Sequence, residues 1–260
     1  MFSVRPIGVS AAFTLKGFNT NYLITGPKGS FLLDCGATAP MALSALGLSL
    51  TDVSELYLSH LHLDHVGGLI QLGLQRFSAG HERPRIYTHE DLAEKLWPLF
   101  LQGFIGKILG SSGKPERSEM SDFFELHSFP APDAFSEKAG FSIAGIDCAL
   151  YRGEHPAMSD SFGLVLNGKV LITSDTTFQP ERLERVANHY QLETIFHHCT
   201  YNPGLSGMHA TVEQLASLPE DLRELIILSH YDDHMLGKTD PTFQLAEAGR
   251  IYTFGETTDA

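Results

Sequence analysis

The stretch LSHLHLDHVGG, residues 58–68, sets three histidines and an aspartate within six positions, directly behind the apolar run ELYLS. Read as a strand end entering a turn, it puts His60 and His62 on one face by the two-residue period of extended chain. Asp64 and His65 follow at the turn into a helix, so four metal-competent side chains converge from one short loop. Burying such groups without an ion or hydrogen bonds costs several kcal/mol. A lone histidine at a strand end predicts a structural residue; the cluster predicts a metal centre. Gly67 and Gly68 then permit tight turning and close approach at the start of the helix.

Working outward, 260 residues with 43% hydrophobic content suffice for one sizeable core or two fused half-domains. No window approaches the ~20 apolar residues of a membrane helix, and MFSVRPIGVSAAF lacks the pattern of a signal peptide, so no membrane partner and a cytoplasmic location are expected. Cys35, Cys148 and Cys199 are odd in number and far apart, which reads as three core thiols and not a disulfide framework. With 18 basic against 31 acidic side chains, the net charge of −13 repels a polyphosphate backbone and disfavours long nucleic acid. Small anions escape that objection, because a bound pair of divalent cations adds about four positive charges where the ligand meets them.

Apolar runs such as NYLIT, SFLLDCG, ELYLSH, PRIYTH, FGLVL, KVLITSD, ETIFHHC and ELIILSH alternate with helix-like stretches near 39–47, 89–109, 180–190 and 211–218, so the chain is of mixed α/β class. Several of these strands are apolar nearly throughout and end on a polar residue, as buried strands do where their C-terminal ends open onto a site. The informative endings are His60, Asp175, Cys199 and His230. No linker divides the chain, which is read as a single domain, 1–260, with a helical lid or insertion at about 92–125 and a mobile loop at 110–122. Trp97, Phe100 and Phe104 at helical spacing suit core or a homodimer face better than a roof over a ligand.

His60, His62, Asp64 and His65 match, without a substitution, the H-x-H-x-D-H signature of the metallo-β-lactamase superfamily, which the chain resembles over nearly its whole length. RGEHP supplies the later histidine, His155; LITSDT supplies Asp175; IILSHYDD supplies His230; and FLLDCG supplies Asp34, an acid behind the metal loop. The resemblance implies a four-layer αβ/βα sandwich, two mixed β-sheets face to face with helices outside. It also implies one cation held by His60, His62 and His155 and a second by Asp64, His65 and His230, with Asp175 bridging. Imidazole and carboxylate donors suit Zn2+, with Mn2+ or iron as alternatives.

The segment IFHHCTYNPGLSGMHATVEQ resembles the region of ribonuclease Z and related cyclic-phosphate phosphodiesterases in which a histidine ahead of a helix assists the leaving group. His209 falls at that position, and Thr211 with Gln214 has the spacing of a capping box that would fix its direction. Where that pattern carries an acid partner, this chain has His198. The interval from His155 to Asp175, 20 positions, leaves no room for the arm with which ribonuclease Z grips transfer RNA.

The expected activity is a dinuclear metal-dependent hydrolase acting on a small, anionic cyclic or nucleotide phosphodiester by attack of a metal-bridged hydroxide, with Asp64 orienting or deprotonating the water and His209 protonating the departing oxygen. A carbonyl hydrolase, thioesterase or lactonase, on the same site is the alternative, and a noncatalytic metal-binding protein the second alternative.

Overall fold

Glu55–Tyr57, the strand that delivers the histidine cluster, lies inside a seven-stranded sheet ordered Tyr252–Phe254, Phe2–Gly8, Asn21–Gly26, Gly29–Leu33, Glu55–Tyr57, Arg85–His89, Glu125–Phe129. The structure, a computed structural model, describes residues 1–110, 113–156 and 160–255. A second seven-stranded sheet runs Gln244–Leu245, Ile226–Ser229, Thr194–His198, Val170–Ile172, Ser161–Leu166, Ile146–Gly153, Phe141–Ile143. Each sheet is antiparallel on one side and parallel on the other: pairing turns parallel at Gly29–Leu33 with Glu55–Tyr57, and at Val170–Ile172 with Thr194–His198. Parallel neighbours require crossovers. Helices Leu69–Ser78 and Pro180–Tyr190 supply two of them. The strands therefore release His60, Asp175, His198 and His230 at their C-terminal ends, where open α/β sheets place ligands.

The inner faces of the sheets interlock. Val4, Tyr22, Phe31, Leu33 and Tyr57 from one share a continuous buried cluster with Leu150, Leu164, Ile172 and Phe196 from the other. The Tyr57 hydroxyl donates across the interface to the Phe162 carbonyl at 2.8 Å, which satisfies a polar atom that would otherwise be stranded in the core. On the outer face of the first sheet, Leu32, Leu56 and Ile86 are covered by Leu69 and Leu72 together with Phe123 and Phe124. Helix Pro180–Tyr190 covers the second sheet with Leu183 and Val186. The result is the helix, sheet, sheet, helix layering expected of the chain. All three cysteines are free and buried. No helix among the described residues is long and apolar enough to cross a membrane.

Within 92–125, helix Glu90–Lys95 continues through a π-type turn, Leu96–Leu101, into Gln102–Ile105. The stretch expected to be a loop is in part a ribbon, Lys107–Leu109 paired antiparallel with Pro115–Arg117; residues 111 and 112 lie outside the described residues. Leu96, Leu101 and Ile105 are buried and Trp97 packs on Phe123 at 6.3 Å, whereas Leu99, Phe104 and Leu109 are exposed.

Candidate metal centre

Asp34 organises the histidine loop from beneath. Its carboxylate accepts Ser59 N–H and Ser59 Oγ–H at 2.8 Å each and His65 Nδ1–H at 2.6 Å. Because Ser59 Oγ has given its proton to Asp34, it can only accept from His60 Nδ1 at 3.0 Å, and the Nε2 atoms of both His60 and His65 are left turned inward as lone pairs. Asp34 and His230 are held in the left-handed backbone region (φ 63° and 61°), as is Ser174 (φ 56°) immediately before Asp175. Three non-glycine residues in that region, each at or beside a candidate ligand, are strain retained where geometry demands it. Gly36 is part of the same construction: a Cβ there would fall 1.8 Å from the Asp64 carbonyl oxygen. Gly67 and Gly68 serve the approach of helix to loop and not a special turn. A Cβ on Gly67 would meet Leu63 O at 2.6 Å, and on Gly68 Gly36 O at 2.7 Å, while both keep ordinary negative φ.

His155, from the opposite half of the chain, gives its Nδ1 proton to the Met208 carbonyl at 3.0 Å, so its Nε2 is also a lone pair. His60 Nε2 and His155 Nε2 each lie 3.1 Å from His62 Nδ1. A single proton on His62 cannot satisfy both. Three nitrogens facing one point with too few protons between them fit a cation, and with Asp175 they form a four-donor group. The second group is Asp64, His65, Asp175 and His230; within each group the donor atoms all lie within 4.8 Å of one another. His65 Nε2 is aimed between Asp64 Oδ2 (3.2 Å) and Asp175 Oδ2 (3.5 Å) yet is buried without a hydrogen bond to either. That orphaned atom is the second sign that the donor set fits divalent metal.

Asp175 belongs to both groups. Its Oδ2 faces His60, His65 and His155 at 3.5–3.7 Å, and its Oδ1 faces His230 at 3.6 Å. His198 donates Nδ1–H to that Oδ1 at 2.8 Å, and the Tyr22 hydroxyl, itself 2.6 Å from Ser229 Oγ, stands behind the ring. His198, which stands where the ribonuclease Z pattern carries an acid partner for the histidine at 209, is thus turned to the candidate metal centre and not to His209. Its proton goes to Asp175, because the strand Thr194–His198 ends beside the one carrying Asp175.

Electrostatics follow from burial. Burial alone raises the Asp64 carboxyl, but the adjoining His65 ring and a hydrogen bond from His230 outweigh it and hold the group far below the usual carboxylate range. Asp175 behaves alike, with His230 and His65 overcoming burial. Burial lowers His60 and, reinforced by His65, keeps its ring neutral and able to ligate. The buried Cys199 thiol is pushed well above its ordinary value and is inert.

His209 closes the site from the second half. The capping box forms as expected: Thr211 Oγ1 accepts Gln214 N–H at 3.2 Å and Gln214 Oε1 accepts Thr211 N–H at 2.9 Å. Its ring is 5.2 Å from that of His155 and 4.9 Å from that of His230, with Nδ1 4.0 Å from Asp175 Oδ2 and without a hydrogen-bond partner. Burial, with the adjoining histidines, pushes its pKa down to about 3, so the ring enters any reaction neutral. These residues floor a cavity of about 630 Å³ whose described lining includes Asp232, Asp233 and His234, no lysine or arginine, and nothing from 92–125. An aromatic roof from the 96–109 helix of the same chain is therefore absent among the described lining residues.

A family model described as Anti-Pycsar protein Apyc1 matches residues 2–252. The Anti-Pycsar protein Apyc1 of Paenibacillus sp. (strain J14) is 32% identical over 232 residues, covering 89% of this chain and 90% of that protein. Solved structures of low identity share the fold. The metallo-β-lactamase fold protein YhfI from Bacillus subtilis superposes with a TM-score of 0.68 at 17% identity, covering 96% of this chain and 98% of that one. The short form of human tRNase Z gives 0.66 at 17% identity, covering 98% and 100%. The matched span contains both halves of the candidate centre, and the chain, a metal-dependent hydrolase of the metallo-β-lactamase superfamily, belongs to the Anti-Pycsar protein Apyc1 family.

Proposed function

We propose that the protein is a dinuclear phosphodiesterase that opens the ring of a cyclic mononucleotide. The observation that carries this reading is the pair of donor groups sharing Asp175: His60, His62 and His155 for one cation, and Asp64, His65 and His230 for the other. Bound there, divalent cations supply Lewis-acid polarisation of phosphoryl oxygens and bring water into its nucleophilic range at neutral pH. Zinc suits the imidazole-rich donors best.

The chain's own residues do the rest. Asp34 and His198 fix the directions of His65 and Asp175. Asp64, ionised and lining the cavity, accepts a hydrogen bond from the attacking water and orients it. As the ester P–O bond breaks, His209 offers an N–H hydrogen bond to the departing ribose oxygen, and the proton lost by the attacking water ends on that oxygen as the new hydroxyl. A neutral imidazole does this by hydrogen bonding, with Asp175 near enough to favour the partial positive charge that develops.

Charge selects the size of the substrate. With Asp64, Asp175, Asp232 and Asp233 around the cavity and no lysine or arginine in its described lining, neutralising an incoming anion would fall to cations bound by the donor groups. One singly charged diester matches that supply; a polyphosphate or polynucleotide finds nothing for its further charges. Membership of the Anti-Pycsar protein Apyc1 family supports a cyclic nucleotide in particular. The test is turnover of 3′,5′-cyclic nucleotides, linear dinucleotides, thioesters and lactones by one zinc- or manganese-loaded preparation. Cyclic nucleotides are expected to be the best substrates, and faster hydrolysis of thioesters or lactones would overturn the reading.

A further inference from the structure

The connection between the strands Phe2–Gly8 and Asn21–Gly26 carries Phe13 and Leu15 almost wholly in solvent, 97% and 93% exposed. A mobile loop with apolar tips would be unremarkable. This loop is pinned. Asp233 accepts Leu15 N–H at 2.7 Å, Lys16 N–H at 3.1 Å and the Thr14 hydroxyl. Asn19 Nδ2 donates to the carbonyls of Ala11 and Ala12, Gly17 N–H to Thr14 Oγ1, and Ala11 N–H to the carbonyl of Tyr231. Two of the anchors, Tyr231 and Asp233, lie within three residues of His230, so the segment that carries a candidate metal ligand also positions the loop backbone on either side of Phe13.

Phe13 lines the same cavity as Asp64, Asp175 and His209. Leu63, 63% exposed and next to His62, lines it as well, with Leu205 and Met208. The cavity thus combines a floor of polar and metal-competent groups with an apolar rim that carries one aromatic side chain on a hydrogen-bonded loop. A ligand complementary to both carries a phosphodiester at one end and a flat ring at the other. We infer that Phe13 is the platform on which the nucleobase of the substrate stacks. This assignment rests on the phosphodiesterase reading above for its ligand and adds to it the residue that recognises the base. Stacking uses the π-face that every base has, so Phe13 contributes affinity with little choice among bases.

The test uses the metal-loaded, full-length protein and two readouts. Equilibrium binding of a hydrolysis-resistant phosphorothioate analogue of a 3′,5′-cyclic nucleotide is one; the other is steady-state hydrolysis of the cyclic nucleotide and of ribose 3′,5′-cyclic phosphate lacking a base. Phe13→Ala is expected to weaken analogue binding and raise KM for the nucleotide by about tenfold or more, with kcat retained. KM for the base-free ester stays unchanged, and Phe13→Tyr or Phe13→Trp restores the nucleotide KM. Asp233→Ala, which removes the three loop bonds, raises the nucleotide KM in the same direction, and the double variant is no worse than Phe13→Ala alone.

A change below twofold in Phe13→Ala, an equal rise on both esters, or full rescue by Phe13→Leu would overturn the stacking role. Analogue binding that depends on Phe13 in a protein that hydrolyses no phosphodiester leaves stacking standing and removes the phosphodiesterase reading. A protein that neither binds nor hydrolyses the nucleotide overturns both.

Discussion

His198 Nδ1 lies 2.8 Å from Asp175 Oδ1, the one carboxylate common to both donor groups. That hydrogen bond fixes the carboxylate plane, and partners of this kind typically carry 10- to 100-fold of metal affinity, roughly. His198→Ala is therefore expected to weaken zinc binding about tenfold or more in a chelator-competition titration, with the fold retained. His198→Asn, which can still donate, should fall between the two. Unaltered zinc affinity in His198→Ala would show that Asp175 needs no support from behind.

Asp34 serves three donors and sits at φ 63°. Asn tolerates that backbone but cannot accept from three groups with ionic strength; Ala can neither accept nor adopt the conformation without strain. Asp34→Asn should fold and lose metal affinity, whereas Asp34→Ala should in addition lose on the order of 3 kcal/mol of stability through unpaired buried donors. Urea unfolding of the chelator-treated proteins separates the two effects, and equal stability of Asp34→Ala and the parent would contradict the role assigned to the carboxylate.

Gly36→Ala tests the packing beneath the loop. The added methyl would fall 1.8 Å from a backbone oxygen of Asp64, an atom that cannot swing aside as a flexible side chain could. Displacement of the Asp64 turn is expected to cost about 1–3 kcal/mol or more and to reduce metal binding together with stability. Thermal unfolding and metal titration should move together in this variant.

The metal-free protein should be less stable at pH 5 than at pH 7. His197 and His89 are driven down to about 4 by burial, below the ordinary histidine value. A group lowered in the folded state leaves the unfolded chain to bind the proton first, so stability is lost as pH falls from about 6.5 to about 4. Each contributes roughly 2 kcal/mol of loss at pH 5 relative to pH 7, and His60, His198 and His209, also lowered, act in the same direction. His65 and His230 are raised by neighbouring carboxylates despite burial. Their contribution is complete below about 6.5 and is lost only as pH rises above it. Urea midpoints at the two pH values check the sign; an equal or higher midpoint at pH 5 would refute it.

Much of this was legible because the chemistry is written locally. His60, His62, Asp64 and His65 lie within one loop, and strands such as Ile226–Ser229, buried at every position, read as continuous apolar runs. His155, Asp175 and His230 became readable through the superfamily pattern and not through their own surroundings. The capping box at Thr211 held because its two bonds are made within one helical turn. What escaped was relational. The strands Phe2–Gly8 and Ile146–Gly153 and the edge strands Glu125–Phe129 and Tyr252–Phe254 carry polar residues that weaken their pattern, and pairing within the sheets stabilises them. The use of His198, the need for glycine at 36 and the left-handed backbone of Ser174 depend on what lies opposite in space. Phe13 drew no notice because nothing in AAFTLKG reveals that Asp233, more than two hundred positions away, holds the loop in place.

Metal content per chain is the most direct measure of the central claim. Elemental analysis of protein equilibrated with zinc and freed of unbound ion should find two ions per chain in the parent and a loss of both in Asp175→Ala, because that carboxylate is shared. A single ion in the parent, or one still firmly held without Asp175, would contradict a bridged pair as the centre of this site.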